Sequence, residues 1–191
     1  MPNEEKKVAP TQIVTGVCRL SYANVWSPKS VMGNDPKYSV SVIIPKSDTA
    51  TVAKIKAAIA AAYEEGKGKL QGNSKSAPPL SALKVPLRDG DVDRPDDEAY
   101  KNAYFVNANS TQPPGIVDKN RETILDHEEI YSGVYARVQL SFYAFALDVN
   151  KGIACGLQNI QKIKDGEPFS SRQKPEDAFN DDFMDEENFL D

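Results

Sequence analysis

A chain of 191 residues with 40% hydrophobic content and a mean hydropathy of -0.51 can bury one solid core flanked by polar segments. No apolar run nears the roughly 20 residues that span a bilayer, and the opening MPNEEKK lacks the apolar stretch of a signal peptide, so a cytoplasmic protein with no membrane partner is expected. The net charge of -5 hides an asymmetry: residues 1–164 carry 21 Lys+Arg against 18 Asp+Glu, and residues 165–191 carry 2 against 10. A mildly basic body ahead of an acidic segment points to nucleic-acid contact or to an interaction tail. Cys18 and Cys155 fall inside apparent strands, without metal-ligand spacing, and read as buried reduced thiols.

Residues 1–10 are polar and are expected to be disordered. In TQIVTGVCRLSYANVW a first strand begins near Thr11, with Val14, Cys18, Leu20 and Tyr22 on one side and Ile13, Thr15, Val17 and Arg19 on the other. Gly16 marks a bend. Residues 24–36 read as a loop from their turn residues, with Trp26, Lys29 and Lys37 along it. KYSVSVIIPK is the clearest strand pattern, ended by Pro45. Ser47 or Asp48 can then cap a helix in which Val52, Ile55, Ile59 and Ala62 recur at helical spacing, until Gly66 supplies a C-terminal cap.

From residue 66 to 99 periodicity is lost among Gly, Ser, Pro and Asp, and a long excursion is expected. A strand follows over 103–108. The segment 132–163 reads as a hairpin around which the sheet is built. Val134, Ala136, Val138, Leu140, Phe142 and Ala144 form its core face, and Tyr135, Arg137, Gln139, Ser141, Tyr143 and Phe145 form the other face. Asp148, Asn150 and Gly152 supply the turn. Five or so strands with one early helix predict a mainly β domain over 11–164, best fitted by the five-stranded OB barrel.

The sequence offers little for catalysis. His127 is the single histidine and sits among Asp126, Glu128 and Glu129, so a triad has one candidate base in a polar segment. Asp89, Asp91, Asp93, Asp96, Asp97 and Glu98 form an acidic cluster that a metal-dependent nuclease would use. As a calcium loop it fails, with Arg94 where Gly belongs and Tyr100 where Glu belongs. The Gly66-Lys67-Gly68-Lys69 fragment lacks the Walker spacing and reads as a polar helix exit. No cofactor is called for.

Binding chemistry fits better. Aromatic rings stack on bases without regard to sequence while Lys and Arg neutralise phosphates. Tyr22, Trp26, Lys29, Lys37 and Lys46 from the first strands, with Arg137, Tyr143 and Phe145 from the late hairpin, interleave these side chains. The tail EDAFNDDFMDEENFLD spaces Phe179, Phe183, Met184, Phe189 and Leu190 singly among carboxylates that include Asp185, Glu186 and Glu187, too charged to collapse into a core, so residues 165–191 are expected to be disordered when free. Such a segment mimics phosphates and bases, or docks on a basic pocket of a partner. An acidic protein-interaction adaptor with no nucleic-acid role is the remaining alternative.

The segments RLSYANVWSPKS, KYSVSVIIPKSD, PLRDGDVDRPDDEAYKNAYFVNANS and GVYARVQLSFYAFALDVNKGIACGLQNIQKIKDGEPF resemble the single-stranded-DNA-binding proteins of tailed bacteriophages, a family once catalogued as a domain of unknown function. The resemblance covers nearly the whole chain. It implies an OB fold, sequence-nonspecific binding of single-stranded DNA in phage replication or recombination in the host cytoplasm, and a regulatory acidic tail that also recruits replication or recombination proteins. Whether duplex is bound, and whether the protein is a monomer or a dimer, stay open at this level.

Overall fold

A computed structural model of the chain describes residues 9–30 and 32–169. The residues fall into eight strands, β1 (Gln12–Val14), β2 (Cys18–Lys29), β3 (Lys37–Pro45), β4 (Leu87–Asp89), β5 (Ala103–Ser110), β6 (Gly115–Val117), β7 (Tyr135–Leu147) and β8 (Asn150–Lys164). Two α-helices, α1 (Thr49–Gln71) and α2 (Gly90–Asp93), complete the set. β2, β3, β5, β8 and β7 are hydrogen-bonded in that order, and β7 returns to β2 to close a barrel. The β5–β8 contact is parallel and the others antiparallel, which is the arrangement of a five-stranded Greek-key barrel, the OB fold. β1 flanks β7, β6 flanks β8 and β4 flanks β5.

The hairpin β7–β8 behaves as its alternation requires. Val134, Ala136, Val138, Leu140, Phe142 and Ala144 are all buried in the main core with Leu20, Val42, Ile44, Val106 and Ile160. Helix α1 packs across β7, placing Ile55, Ala58, Ile59 and Ala62 in that core, and the Asp48 carboxylate accepts from Thr51 N at 3.1 Å as its N-cap. Both cysteines are buried and unpaired. Burial pushes the Cys18 thiol up to about 12, against a smaller opposing effect of its contact with Thr15.

Several boundaries differ from expectation for identifiable reasons. Helix α1 does not stop at Gly66 but runs to Gln71, with Gly72 as the cap at φ 52°. Gly66 serves close approach: a Cβ there would run into the Cβ of Ala144 on β7. The expected loop over 24–36 is largely strand, since β2 continues to Lys29 and pairs with β3 at Asn24↔Ser39 and Lys29↔Lys37. Pro28 fits because residues 25–28 fall in an irregular stretch between those pairs, where a missing N–H breaks no ladder. The alternation of β1 and β2 changes phase at Gly16 and again at Tyr22: Ile13 and Thr15 are buried, as are Cys18 and Leu20, while Val14 and Tyr22 are exposed. Asn150 and Gly152 lie within β8 and are not part of the turn, which centres on Asp148 at φ 52°.

The excursion over 66–99 folds onto the outside of β5 as β4, α2 and a short 3-10 turn at Glu98–Tyr100, forming a small second core of Ile43, Tyr100, Ala103 and Phe105. The folded body also continues past Lys164. Tyr131 Oη donates to Gly166 O at 2.8 Å, Arg19 Nη2 donates to Glu167 O at 2.7 Å, and Phe169 N donates to Ser132 O at 3.1 Å. The tail residues Phe183, Asp185, Glu186, Glu187 and Phe189, and residues 1–8 of the N-terminal segment 1–10 expected to be disordered, lie outside the described residues, whereas Ala9 is described and its carbonyl accepts from Gln12 N at 2.9 Å.

Candidate nucleic-acid interface

One face of β3 and β5 changes character along its length. Ile43 opposes Phe105 and belongs to the second core, but the next pairs on that face are Ser41↔Asn107 and Ser39↔Asn109. The change falls at a buried bond in which the Tyr100 hydroxyl meets Ser41 Oγ at 2.9 Å. Beyond it the barrel presents a floor of neutral hydrogen-bonding groups. In an OB barrel this is the face on which oligonucleotides lie, between the first hairpin loop and the last. Here those loops are the β2–β3 connection and the β7–β8 turn.

Three adjoining depressions make this face a continuous groove, since all of them are lined by Asn109. The first holds Tyr22, Arg94, Ser41 and Asn107. The second holds Lys29, Lys37, Ser39 and Leu147, and the third holds Lys37, Ser141, Tyr143 and Gly156. Two rings, Tyr22 and Tyr143, thus stand at opposite ends, 56% and 46% exposed, with two lysines between them. Phe145 lies on the same face of β7 between Tyr143 and Leu147, half-buried over Gly152. Burial raises the Tyr143 phenol, keeping it a neutral ring with a hydroxyl to donate.

Tyr22 reaches its end of the groove through an unusual backbone. Its φ is 48°, at a point where the β2–β3 register shifts between Ser21 and Asn24. For an aromatic residue this is a strained conformation. It turns the ring outward instead of burying it, and the Arg94 guanidinium lies over the ring.

Three of the sequence candidates stand elsewhere. Trp26 is in β2, partly buried against the main core, and stacks on His127 with ring centroids 4.3 Å apart and planes 10° from parallel. One ring face is therefore already covered. Lys46 bridges Asp89 at 2.9 Å and Asp91 at 2.8 Å, tying α2 to the end of β3. The hydrogen bonds that Lys46 donates to those carboxylates push its pKa up, and Lys46 in turn lowers both of theirs. Arg137 lies on the outer face of β7 six residues before Tyr143, about 20 Å along the strand, with Nε donating to Thr15 O at 3.1 Å. The acidic cluster is likewise engaged: Asp89 and Asp91 face Lys46, and Asp93 meets Arg88 at 2.9 Å. Among the described residues no group of three or more His, Cys, Asp or Glu is placed to hold a metal ion.

Arg94, Asn107, Asn109 and Leu147 line the groove and were not singled out in the sequence. The two asparagines had a signal in VNANS, a period-two polar alternation continuing a buried strand. Arg94 had none, because its place depends on how the acidic excursion folds back.

The matching family model spans residues 11–190 and is described as Enterobacter phage Enc34, ssDNA-binding protein. The chain belongs to this family. The solved single-stranded DNA-binding protein of bacteriophage Enc34 in complex with ssDNA superposes with a TM-score of 0.69 at 27% identity, covering 84% of this chain and 90% of that one. Putative protein p50 of Acyrthosiphon pisum secondary endosymbiont phage 1 is 29% identical over 160 residues, 80% of this chain and 83% of that protein. Gp2.5, a single-stranded DNA-binding protein encoded by bacteriophage T7, shares the fold with a TM-score of 0.60 at 14% identity, over 85% of this chain and 97% of that one. The family and these solved neighbours are named as DNA-binding proteins, not as enzymes. Among the described residues no helix is long and apolar enough to cross a membrane.

Proposed function

We propose that this protein binds single-stranded DNA without sequence preference during phage DNA replication or recombination, in the host cytoplasm. The observation that carries the reading is the groove over β3 and β5, with Tyr22 and Tyr143 at its ends and Lys29 and Lys37 between them. The rings stack on any base, the lysines neutralise phosphates, and the neutral Ser39, Asn107 and Asn109 floor accepts or donates hydrogen bonds to whichever base edge is presented. Family membership and the solved complex of the Enc34 protein with ssDNA support it.

The segment 170–191, with Phe183, Asp185, Glu186, Glu187 and Phe189, competes for the cationic groove and recruits replication or recombination proteins through the same carboxylates and rings. Gel shifts with single-stranded and duplex oligonucleotides across a salt series test the reading. Binding of single strands is expected to be sequence-tolerant and to weaken steeply with salt, and removal of 170–191 is expected to raise affinity most at low salt. Equal affinity for single strands at low and high salt argues against phosphate neutralisation in the groove.

A further inference from the structure

The groove has unlike ends. Past Arg94 the surface carries the Arg88–Asp93 pair and then Asp96, Asp97 and Glu98, a net-negative stretch that repels a phosphate backbone. At the other end Tyr143 lines both the groove and a crease between α1 and β7 that holds Gly66, Lys69 and Ala144. The crease exists because Gly66 lets the helix touch β7, and Gly68 keeps the neighbouring surface low, with nothing within 4 Å of its Cβ position.

Three lysines gather at this exit. Lys69 Nζ lies 3.5 Å from Ala144 O, Lys151 Nζ donates to Leu70 O at 2.8 Å, and Lys84 N reaches Lys151 O at 3.4 Å. The Lys84 ammonium meets Asn150 Oδ1 at 3.3 Å. All of these acceptors are neutral, and among the described residues none of the three lysines is paired with a carboxylate. Lys46, Lys67 and Lys162, by contrast, each face an acid. Glu65 also lines the crease without pairing to Lys69. Cations held by carbonyls keep their full charge for an external anion, whereas paired ones do not.

We propose that a single strand longer than the groove continues past Tyr143 and lays its phosphates on Lys69, Lys84 and Lys151, a second contact patch that gives the bound strand one direction of exit. This rests on the groove reading, and the Gly66-Lys67-Gly68-Lys69 fragment gains a role from it: the glycines bring the helix end close and Lys69 supplies the charge.

Lys69 and Lys84 are exposed, so a Lys69→Gln/Lys84→Gln variant is expected to melt like the parent. Binding is measured at one protein per strand with oligo-dT of about 6 and about 20 nucleotides, one within and one beyond the roughly 4–16-nucleotide site sizes of an OB fold. For the longer oligonucleotide the slope of log K against log salt is expected to fall by about 1.4, two single-strand phosphate contacts, with the shorter one unchanged. An unchanged slope with the longer strand overturns the patch, and equal loss at both lengths overturns its place outside the groove. Lys37→Ala serves as the groove control and is expected to lower the slope at both lengths. A flat response to Lys37→Ala counts against the groove itself, while the 20-nucleotide comparison still decides the patch.

Discussion

The Arg94 guanidinium lies 5.5 Å from the centroid of the exposed Tyr22 ring while also covering the buried Tyr100 at 4.9 Å and Phe105 at 5.3 Å. One arginine therefore joins the second core to the groove, and it holds outward a ring whose backbone, at φ 48°, is strained. A conformation of this kind costs about 1–3 kcal/mol and persists where its surroundings fix it. Tyr22→Ala is expected to weaken binding of oligo-dT by about 1–3 kcal/mol with the salt slope preserved, and Tyr143→Ala likewise. Arg94→Ala is expected to lower the slope by about 0.7. A Tyr22/Tyr143 double alanine variant that binds oligo-dT as tightly as the parent, in fluorescence anisotropy, would sink the stacking model.

Trp26 is expected to matter for stability and not for DNA. With one face on His127 and part of its surface packed against the core, Trp26→Ala removes both sets of contacts. Its cost is expected to be about 2 kcal/mol or more, below the roughly 3–5 kcal/mol of a fully buried tryptophan, read as a lowered denaturation midpoint. Trp26→Phe keeps a ring against His127 and is expected to bind oligo-dT like the parent. Loss of DNA affinity in Trp26→Phe without a change in the midpoint puts Trp26 back in the interface.

What the sequence made legible divides along physical lines. The six inward positions of 132–147 and the KYSVSVIIP strand were readable because burial imposes period two, and the OB class followed from strand count and the early helix. Tyr22, Lys29, Lys37 and Tyr143 were found as residue types and do meet in one groove. Trp26 and Lys46 had the same credentials but found partners, His127 and the Asp89/Asp91 pair, that are 101 and about 43 to 45 residues distant in the chain. No local pattern carries such pairings. The end of α1 is hidden for a related reason: a glycine suits a helix cap and also a close helix contact, and the deciding neighbour of Gly66, Ala144, lies in β7.

That contact separates two glycines of one helix turn. Ala ordinarily stabilises an exposed helix position relative to Gly by about 0.5–1 kcal/mol. Gly68→Ala meets nothing within 4 Å and is expected to raise the melting temperature by that amount of stabilisation. Gly66→Ala drives a methyl into the Cβ of Ala144 on β7, with an expected cost of about 1–3 kcal/mol from overpacking. Gly66→Ala paired with Ala144→Gly is expected to recover part of that loss. The same sign of effect for both single variants contradicts the packing of α1 on β7.

The Lys46 bridge predicts an acid-sensitive segment within an otherwise stable barrel. Hydrogen bonds from Lys46 hold the Asp89 and Asp91 carboxyls below their ordinary 3.8. Groups with lowered folded values contribute stability that is present above the ordinary value and lost as pH falls through the lowered one. Lys46, raised by the same contacts, contributes below its ordinary 10.5 and loses that contribution only in strong alkali. Between about pH 5 and pH 9 the contribution of the bridge is therefore constant, and it declines progressively as the pH falls below the ordinary 3.8 toward the lowered folded values. Since Asp91 Oδ1 also accepts from Asn102 N at 3.0 Å, protonation loosens both ends of the segment that carries Arg94. Hydrogen-exchange protection of residues 87–102 is expected to drop between pH 6 and pH 3, ahead of any change in the β7–β8 hairpin, whose contacts with the core are apolar. Asp89→Asn/Asp91→Asn is expected to show the low protection already at pH 6 and little further acid dependence. Full protection of 87–102 in that variant at pH 6 would show that the second core of Ile43, Tyr100 and Phe105 holds the segment without Lys46, and Lys46→Ala would then leave DNA affinity unchanged.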